Sequence, residues 1–389
     1  MPNPTRVIWM IAIAETLVWS GLFYSFPALI VWWERDFGWS KPELTGALTL
    51  AIVTSALVSP LTGRLIDRGR GPLVLTVGAA FGGLTMLLLA VVDTHLTFYL
   101  AWIALGAAMG CCLYEPCFAF LTRARGERAV QAITLVSLVA GFAGTLSFPL
   151  GHVVAQASGW RMAALVYGGL ILLVAVPLMW FATRRIERDV VIEPQASTSL
   201  PSGRSSVLTR PAFWLLAIGF TLLVMNHGVI LNHLLPLLHE RGIAPDTAVL
   251  AAAMIGPMQV AGRVAMMLAQ RHVSMRAIML ACFVGVCAAT LLLMAAGLVP
   301  ALLVGFVVLQ GASYGVVSIV RPAMTRQVLG SVNFGAISGA MAVPYLLGVA
   351  LAPTLGSLVW LVGGYGLVLA VIFVAAVIGG VLGWMATRV

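Results

Sequence analysis

The feature that most constrains this chain is its succession of apolar runs, each about 20 residues long and separated by short polar connectors. A run of that length crosses the hydrocarbon layer as a helix, because inside lipid every backbone N–H and C=O needs an internal partner. Breaks at charge, Pro and Gly place spans at approximately 7–31, 44–62, 72–92, 97–121, 130–155 and 161–183. They resume at approximately 211–238, 247–270, 275–296, 300–321, 334–358 and 365–386. The expected fold is therefore an all-α membrane protein of twelve transmembrane helices in two six-helix, pseudo-symmetric bundles, residues 1–183 and 211–389. Between them, residues 184–210 mix charge with Ser, Pro and Gly and read as a flexible cytoplasmic linker.

Charge supports the same reading. Only 9% of residues are charged, against roughly 25% in soluble domains, which excludes a water-soluble fold. The net charge of +9 does not point to nucleic acid, since the arginines sit singly or in short clusters between apolar runs. With the N-terminus inside, four of the 22 Lys and Arg residues (Arg35, Lys41, Arg161, Arg241) fall in outer connectors and two (Arg263, Arg321) in spans, leaving sixteen in inner connectors. This positive-inside bias places both termini in the cytoplasm, with the first span retained rather than cleaved as a signal peptide. The five cysteines lie in apolar runs without metal-site spacing and read as packing residues, so neither cofactor nor metal is expected.

The halves echo each other. The fourth span carries G-A-A-M-G at Gly106–Gly110, followed by Glu115-Pro116; the tenth carries G-A-S-Y-G at Gly311–Gly315, followed by Arg321-Pro322. The fifth closes on Pro149, Gly151 and Gly159-Trp160, the eleventh on Pro353, Gly356 and Gly364-Tyr365. Recurring small residues and prolines are what a parallel-repeat transporter requires, because small residues let helices approach closely and alternating access rocks one half against the other.

Between the second and third spans stands G-R-L-I-D-R-G-R, Gly63–Arg70. This resembles the loop signature of the major facilitator superfamily, one residue shorter than usual, and implies that Asp67 and Arg68 take part in gating. The stretch Gly21–Ser40, with Tyr24, Phe26-Pro27, Glu34 and Phe37-Gly38-Trp39-Ser40, resembles the monocarboxylate porter and oxalate-formate antiporter group. So do Leu231–Pro236 running to Arg241-Gly242, and Arg128-Ala129 leading through Gly141, Gly144 and Pro149 to Gly159-Trp160-Arg161. Some members carry a Lys after the Phe-Pro and an Asp four residues before the Arg of the eighth helix. Here those positions are Ala28 and Gln259, while the Arg is kept as Arg263. The resemblance thus implies substrate-charge pairing but not the family's Lys and Asp proton route.

Four charged residues fall within the spans: Glu15, Glu115, Arg263 and Arg321. Each costs roughly 2.5–3.5 kcal/mol near the bilayer centre and is a functional candidate by default. Arg263, the deeper cation, is the expected anchor for a carboxylate, since its planar fork matches two oxygens; an ion pair or snorkelling is the structural alternative. Glu115 and Glu15 are the candidate proton-coupling acids, Glu115 first because it lies between Tyr114 and a helix-bending Pro116. Arg321, the repeat-mate of Glu115, is a candidate gate partner for it. Asn226, His227, Gln259, Tyr114, Tyr314 and Tyr345 are the remaining candidate substrate contacts, the tyrosines because a hydroxyl binds a carboxylate while the ring packs an apolar tail.

The expectation is a secondary active transporter, not an enzyme, moving a small organic anion, a monocarboxylate, across a bacterial inner membrane by proton coupling or exchange, as a monomer. A proton-driven exporter of drugs or organic cations is the alternative; it predicts an acidic cavity, and its fifth-helix signature is present only in broken form around Gly141–Gly151. A transport-dead sensor is a third reading. No P-loop, H-E-x-x-H or G-x-S-x-G motif supplies an enzyme site, and no ring of like charge suggests a channel.

Overall fold

The computed structural model describes residues 4–126, 129–188, 208–330 and 334–388, and no strand occurs among them. Arg128, Arg204 and most of the expected linker lie outside the described residues. Two compact units, Met1–Glu193 and Pro194–Val389, divide the chain. The described residues hold nine helical runs long and apolar enough to cross a membrane. Non-helical glycines lie inside three of these runs, at Gly69, at Gly159 and at Gly363–Gly364, and dividing the runs there is consistent with the twelve expected spans.

In the first unit, α1 (Pro4–Trp19) and α2 (Ser25–Phe37) are joined through a π-helical turn, Ser20–Tyr24. A widened turn leaves backbone carbonyls short of partners in a setting without water. Ser147 Oγ donates to the Ser20 carbonyl at 2.9 Å, and Tyr167 Oη donates to the Ser147 carbonyl at 2.6 Å. Gly38, at φ 69°, ends α2, and a Ser40–Glu43 capping box starts α3 (Lys41–Leu65). Lys41, 3% exposed, donates to Glu34 at 2.7 Å; this buried cation escapes a search for charges within spans because it sits at a helix start.

A π turn, Ile66–Arg70, leads to α4 (Gly71–Leu89), followed by α5 (His95–Cys112), α6 (Tyr114–Arg125), α7 (Ala129–Ala140), α8 (Ala143–Leu170) and α9 (Val176–Arg188). The expected sixth span stops at 183, whereas α9 continues to Arg188, because an arginine ends an apolar run without ending a helix. Trp33 and Trp160 stand at the ends of apolar runs, where tryptophan commonly anchors at the membrane interface, yet both are buried with Trp102, Phe26 and Phe98 in an edge-to-face cluster. Their rings fill the core of the unit, where area burial and T-shaped packing outweigh an interfacial position.

The second unit comprises α10 (Pro211–Glu240), α11 (Pro245–Ala269), α12 (Met275–Ala295), α13 (Leu302–Leu329) and α14 (Phe334–Ala386). The expected tenth span ends at 321; α13 runs to Leu329 and holds Arg321 within the helix. His233 is buried, with Nε2 2.8 Å from the Pro353 carbonyl and Nδ1 3.2 Å from Tyr365 Oη, tying α10 to both sides of the α14 break.

Glycine sets how closely the helices pack. A Cβ at Gly106 of α5 would collide with the backbone of Ala51 in α3, and one at Gly110 would lie 2.7 Å from the Ser55 carbonyl. The second unit repeats the device: a Cβ at Gly311 of α13 would lie 2.7 Å from the Ile255 carbonyl, and one at Gly315 would strike the backbone of Gln259 in α11. Thr62 Oγ1 donates to the Gly110 carbonyl at 2.9 Å across the first contact. Gly106→Ala and Gly315→Ala should therefore each destabilise the protein by about 1–3 kcal/mol, lowering its melting temperature in detergent. Gly169→Ala, where nothing lies within 4 Å, should be neutral or stabilising by up to about 1 kcal/mol.

Candidate functional site

The second unit gathers five of the expected residues into one connected cluster. Asn226 Nδ2 donates to Thr290 Oγ1 at 3.1 Å and to the Ile372 carbonyl at 3.3 Å. Gln310 Nε2 reaches Asn226 Oδ1 at 3.5 Å and His227 Nδ1 at 3.4 Å. The His227 ring stacks on Tyr314, centroids 3.4 Å apart and planes 9° from parallel. Tyr314 Oη lies 3.3 Å from Tyr345 Oη, and the Arg321 guanidinium sits 3.9 Å over the Tyr345 ring.

Gln310 and Thr290 are additions to the expected set. Gln310 was legible by periodicity: it precedes Tyr314 by four residues and Arg321 by eleven, so the three share one face of α13. Thr290 carries no such signal, because a Thr in an apolar run ordinarily bonds its own helix, as Thr290 Oγ1 also does to Val286 at 2.9 Å.

The two arginines are used differently. Arg263 Nε donates to the Gly315 carbonyl at 2.9 Å, at the point where Gly315 presses on the backbone of Gln259. It thus braces α11 against α13. Arg321 Nη1 is buried and has no hydrogen-bond partner among the described residues. Gln310 Oε1 is in the same condition, so the cluster holds one unsatisfied donor and one unsatisfied acceptor.

In the first unit, Glu15 is fully buried, and neither carboxyl oxygen makes a complete hydrogen bond. The Cys117 thiol and the Glu115 carboxyl are its polar neighbours. The chain leaves the helical region at Leu113 (φ −82°, ψ −162°), which puts Tyr114 and Glu115 in the first turn of α6, where the helix dipole favours an acid. Glu115 is exposed. Tyr114 packs between Trp19, at 4.6 Å, and Phe118, at 4.8 Å. Asp67 and Arg68 are exposed on the Ile66–Arg70 turn. No group of three or more metal-ligating side chains converges among the described residues.

The model of the Major Facilitator Superfamily matches residues 8–274, more than half of the 389. The chain belongs to the major facilitator superfamily. Across its whole length this superfamily member is similar to a crystal structure of a bacterial homolog of the human lysosomal transporter Spinster in an inward-facing, unoccupied conformation. That likeness has a TM-score of 0.78, 14% identity and 98% of the other chain covered. The inward-facing, occupied form gives 0.74 with 97% covered, again at 14% identity. These likenesses show the fold.

Among human proteins, the voltage-gated purine nucleotide uniporter SLC17A9 is 27% identical over 49% of this chain and 46% of its own length. Monocarboxylate transporter 11 is 28% identical over 63% of this chain and 52% of its own. The match spans about half the length of these relatives. Family, fold and the apolar helical runs make this a multi-pass membrane protein of a transporter superfamily.

Because Gln310 serves both Asn226 and His227, Gln310→Leu should cost about 1–3 kcal/mol. Thermal melts of Gln310→Leu, Asn226→Ala and the double variant should be non-additive, with a coupling of about 0.5 kcal/mol or more.

Proposed function

We propose that this superfamily member carries a small organic anion, a monocarboxylate, by alternating access, with Arg321 as the anion's anchor. The observation that carries this reading is the Arg321 guanidinium, seated over Tyr345 with a buried Nη1 that has no hydrogen-bond partner among the described residues. An unmatched donor of this kind inside a membrane is costly to keep, and a planar fork beside the Tyr314 and Tyr345 hydroxyls matches a carboxylate's two oxygens. Arg263 supports the site by holding α11 and α13 at Gly315. The apolar remainder of a monocarboxylate would lie against the stacked His227 and Tyr314 rings. Both human relatives are named for anionic cargo, which favours the anion over an organic cation.

Glu15 is the proposed proton carrier. A charge on a fully buried carboxyl without a complete hydrogen bond is expensive, so a proton must accompany it whenever no cation does. The protein would act as a monomer in the inner membrane with both termini cytoplasmic.

Uptake of radiolabelled monocarboxylates into proteoliposomes tests the reading. Saturable uptake should be lost in Arg321→Ala and not restored in Arg321→Lys, which lacks the fork. Tyr345→Phe should weaken apparent affinity about tenfold or more, as expected for a lost hydrogen bond to a charged group. Glu15→Gln should keep exchange but lose accumulation driven by an inward proton gradient. Movement of organic cations, with carboxylate flux absent or indifferent to Arg321, would reverse the assignment.

A further inference from the structure

The first unit has a second polar feature, distant in sequence from the acids. A cavity of about 370 Å³ beside the Gly69 turn is lined by Arg70, Leu73, Trp180, Arg184, Glu187 and Arg188. The Arg184 guanidinium sits 3.6 Å over the Trp180 ring. Glu187 does not neutralise this group, because both its oxygens accept from Arg123 Nη1, at 2.8 and 2.9 Å. None of Arg70, Arg184 and Arg188 forms an ion pair with a carboxylate among the described residues. The start of α4 at Gly71 adds the positive end of a 19-residue helix. Gly69, at φ 79°, lets the turn close on the ion pair: a Cβ there would lie 3.3 Å from Arg123 Nη2.

The surface leading away from the cavity is apolar. Leu73, Val77, Phe81, Leu84 and Leu88 of α4 lie on one helical face and are between 45% and 64% exposed. At ~1.5 Å per residue this stripe runs about 22 Å, most of one leaflet's thickness and more. Phe181 of α9, which packs against α4, is exposed beside the cavity end. Anionic recognition at one end and a lipid-length apolar track from it describe an amphiphile rather than a soluble anion.

We propose that this cavity binds the phosphate headgroup of an anionic phospholipid, whose acyl chain lies along the exposed face of α4. The arginines meet the phosphate oxygens through charge-assisted hydrogen bonds, and Trp180 holds Arg184 in place by cation–π contact. The site is independent of the transported substrate. Its occupant would hold the Ile66–Arg70 turn, and with it Asp67 and Arg68, against the ion pair of α6 and α9.

Native mass spectrometry of the full chain, offered equal phosphatidylglycerol and phosphatidylcholine, tests this. Wild type should retain phosphatidylglycerol about tenfold or more over phosphatidylcholine, and each arginine removed should lower that preference. Arg70→Gln/Arg184→Gln/Arg188→Gln should bring the two lipids to parity, whereas Arg271→Gln/Arg276→Gln/Arg388→Gln, equal in charge but in the second unit, should keep the preference. Trp180→Leu should reduce it several-fold and serves if the triple variant is not monodisperse. Equal retention of the two lipids by wild type, or an undiminished preference in the triple variant, overturns the site. Displacement of the lipid by inorganic phosphate alone would make it a soluble-phosphate site and overturn the lipid assignment.

Discussion

The rest of the structure depends on two backbone-to-backbone contacts, α5 on α3 at Gly106 and Gly110 and α13 on α11 at Gly311 and Gly315. Lipid gives helices no hydrophobic reason to associate, so van der Waals contact and interhelical hydrogen bonds must hold them, and both grow as the axes approach. The second contact has a functional consequence that the first lacks. It brings the Gly315 carbonyl within reach of Arg263 Nε, so the deeper arginine braces the two helices beside the cluster of His227, Tyr314, Tyr345 and Arg321.

Polar atoms inside the units fall into two kinds. Some form closed pairs that repair a backbone irregularity: Ser147 on the Ser20 carbonyl at a π turn, His233 on the Pro353 carbonyl near a helix break. Those are what a membrane demands of any non-helical backbone. Others are buried without a hydrogen-bond partner among the described residues, and of these Glu15, Gln310 Oε1 and Arg321 Nη1 belong to groups that can carry or bind charge. A membrane protein bears that cost where something else supplies the partner during its working cycle, and the proposed roles of proton carrier and anion anchor rest on these atoms.

Much of this was legible beforehand. The succession of apolar spans is legible in run length and in breaks at Gly and Pro, and the repeat is visible in Gly106–Gly110 and Gly311–Gly315. Helix ends were less legible where arginines extend them, as at Arg188 and beyond Arg321, since a snorkelling side chain ends hydropathy but not helical hydrogen bonding. The burial of Trp33 and Trp160 is not legible in the sequence, because end-of-span position does not distinguish a ring facing the interface from one packed inward.

By itself the sequence determined that this chain crosses a membrane many times, which small residues lie at helix contacts, and which few charges enter the apolar layer. Those properties are local: run length, periodicity and the cost of a charge in hydrocarbon are set within about one span. Only the tertiary structure decided that Arg263 Nε meets the Gly315 carbonyl, that Arg321 Nη1 has no hydrogen-bond partner among the described residues, that Gln310 joins Asn226 to His227, and that Glu15 stands without a full partner. Each of these depends on groups that meet from different helices, Gln310 and Asn226 being 84 residues apart. Whether a polar side chain is structural or available for work is settled by which neighbour reaches it first, and that neighbour is not written nearby in the chain.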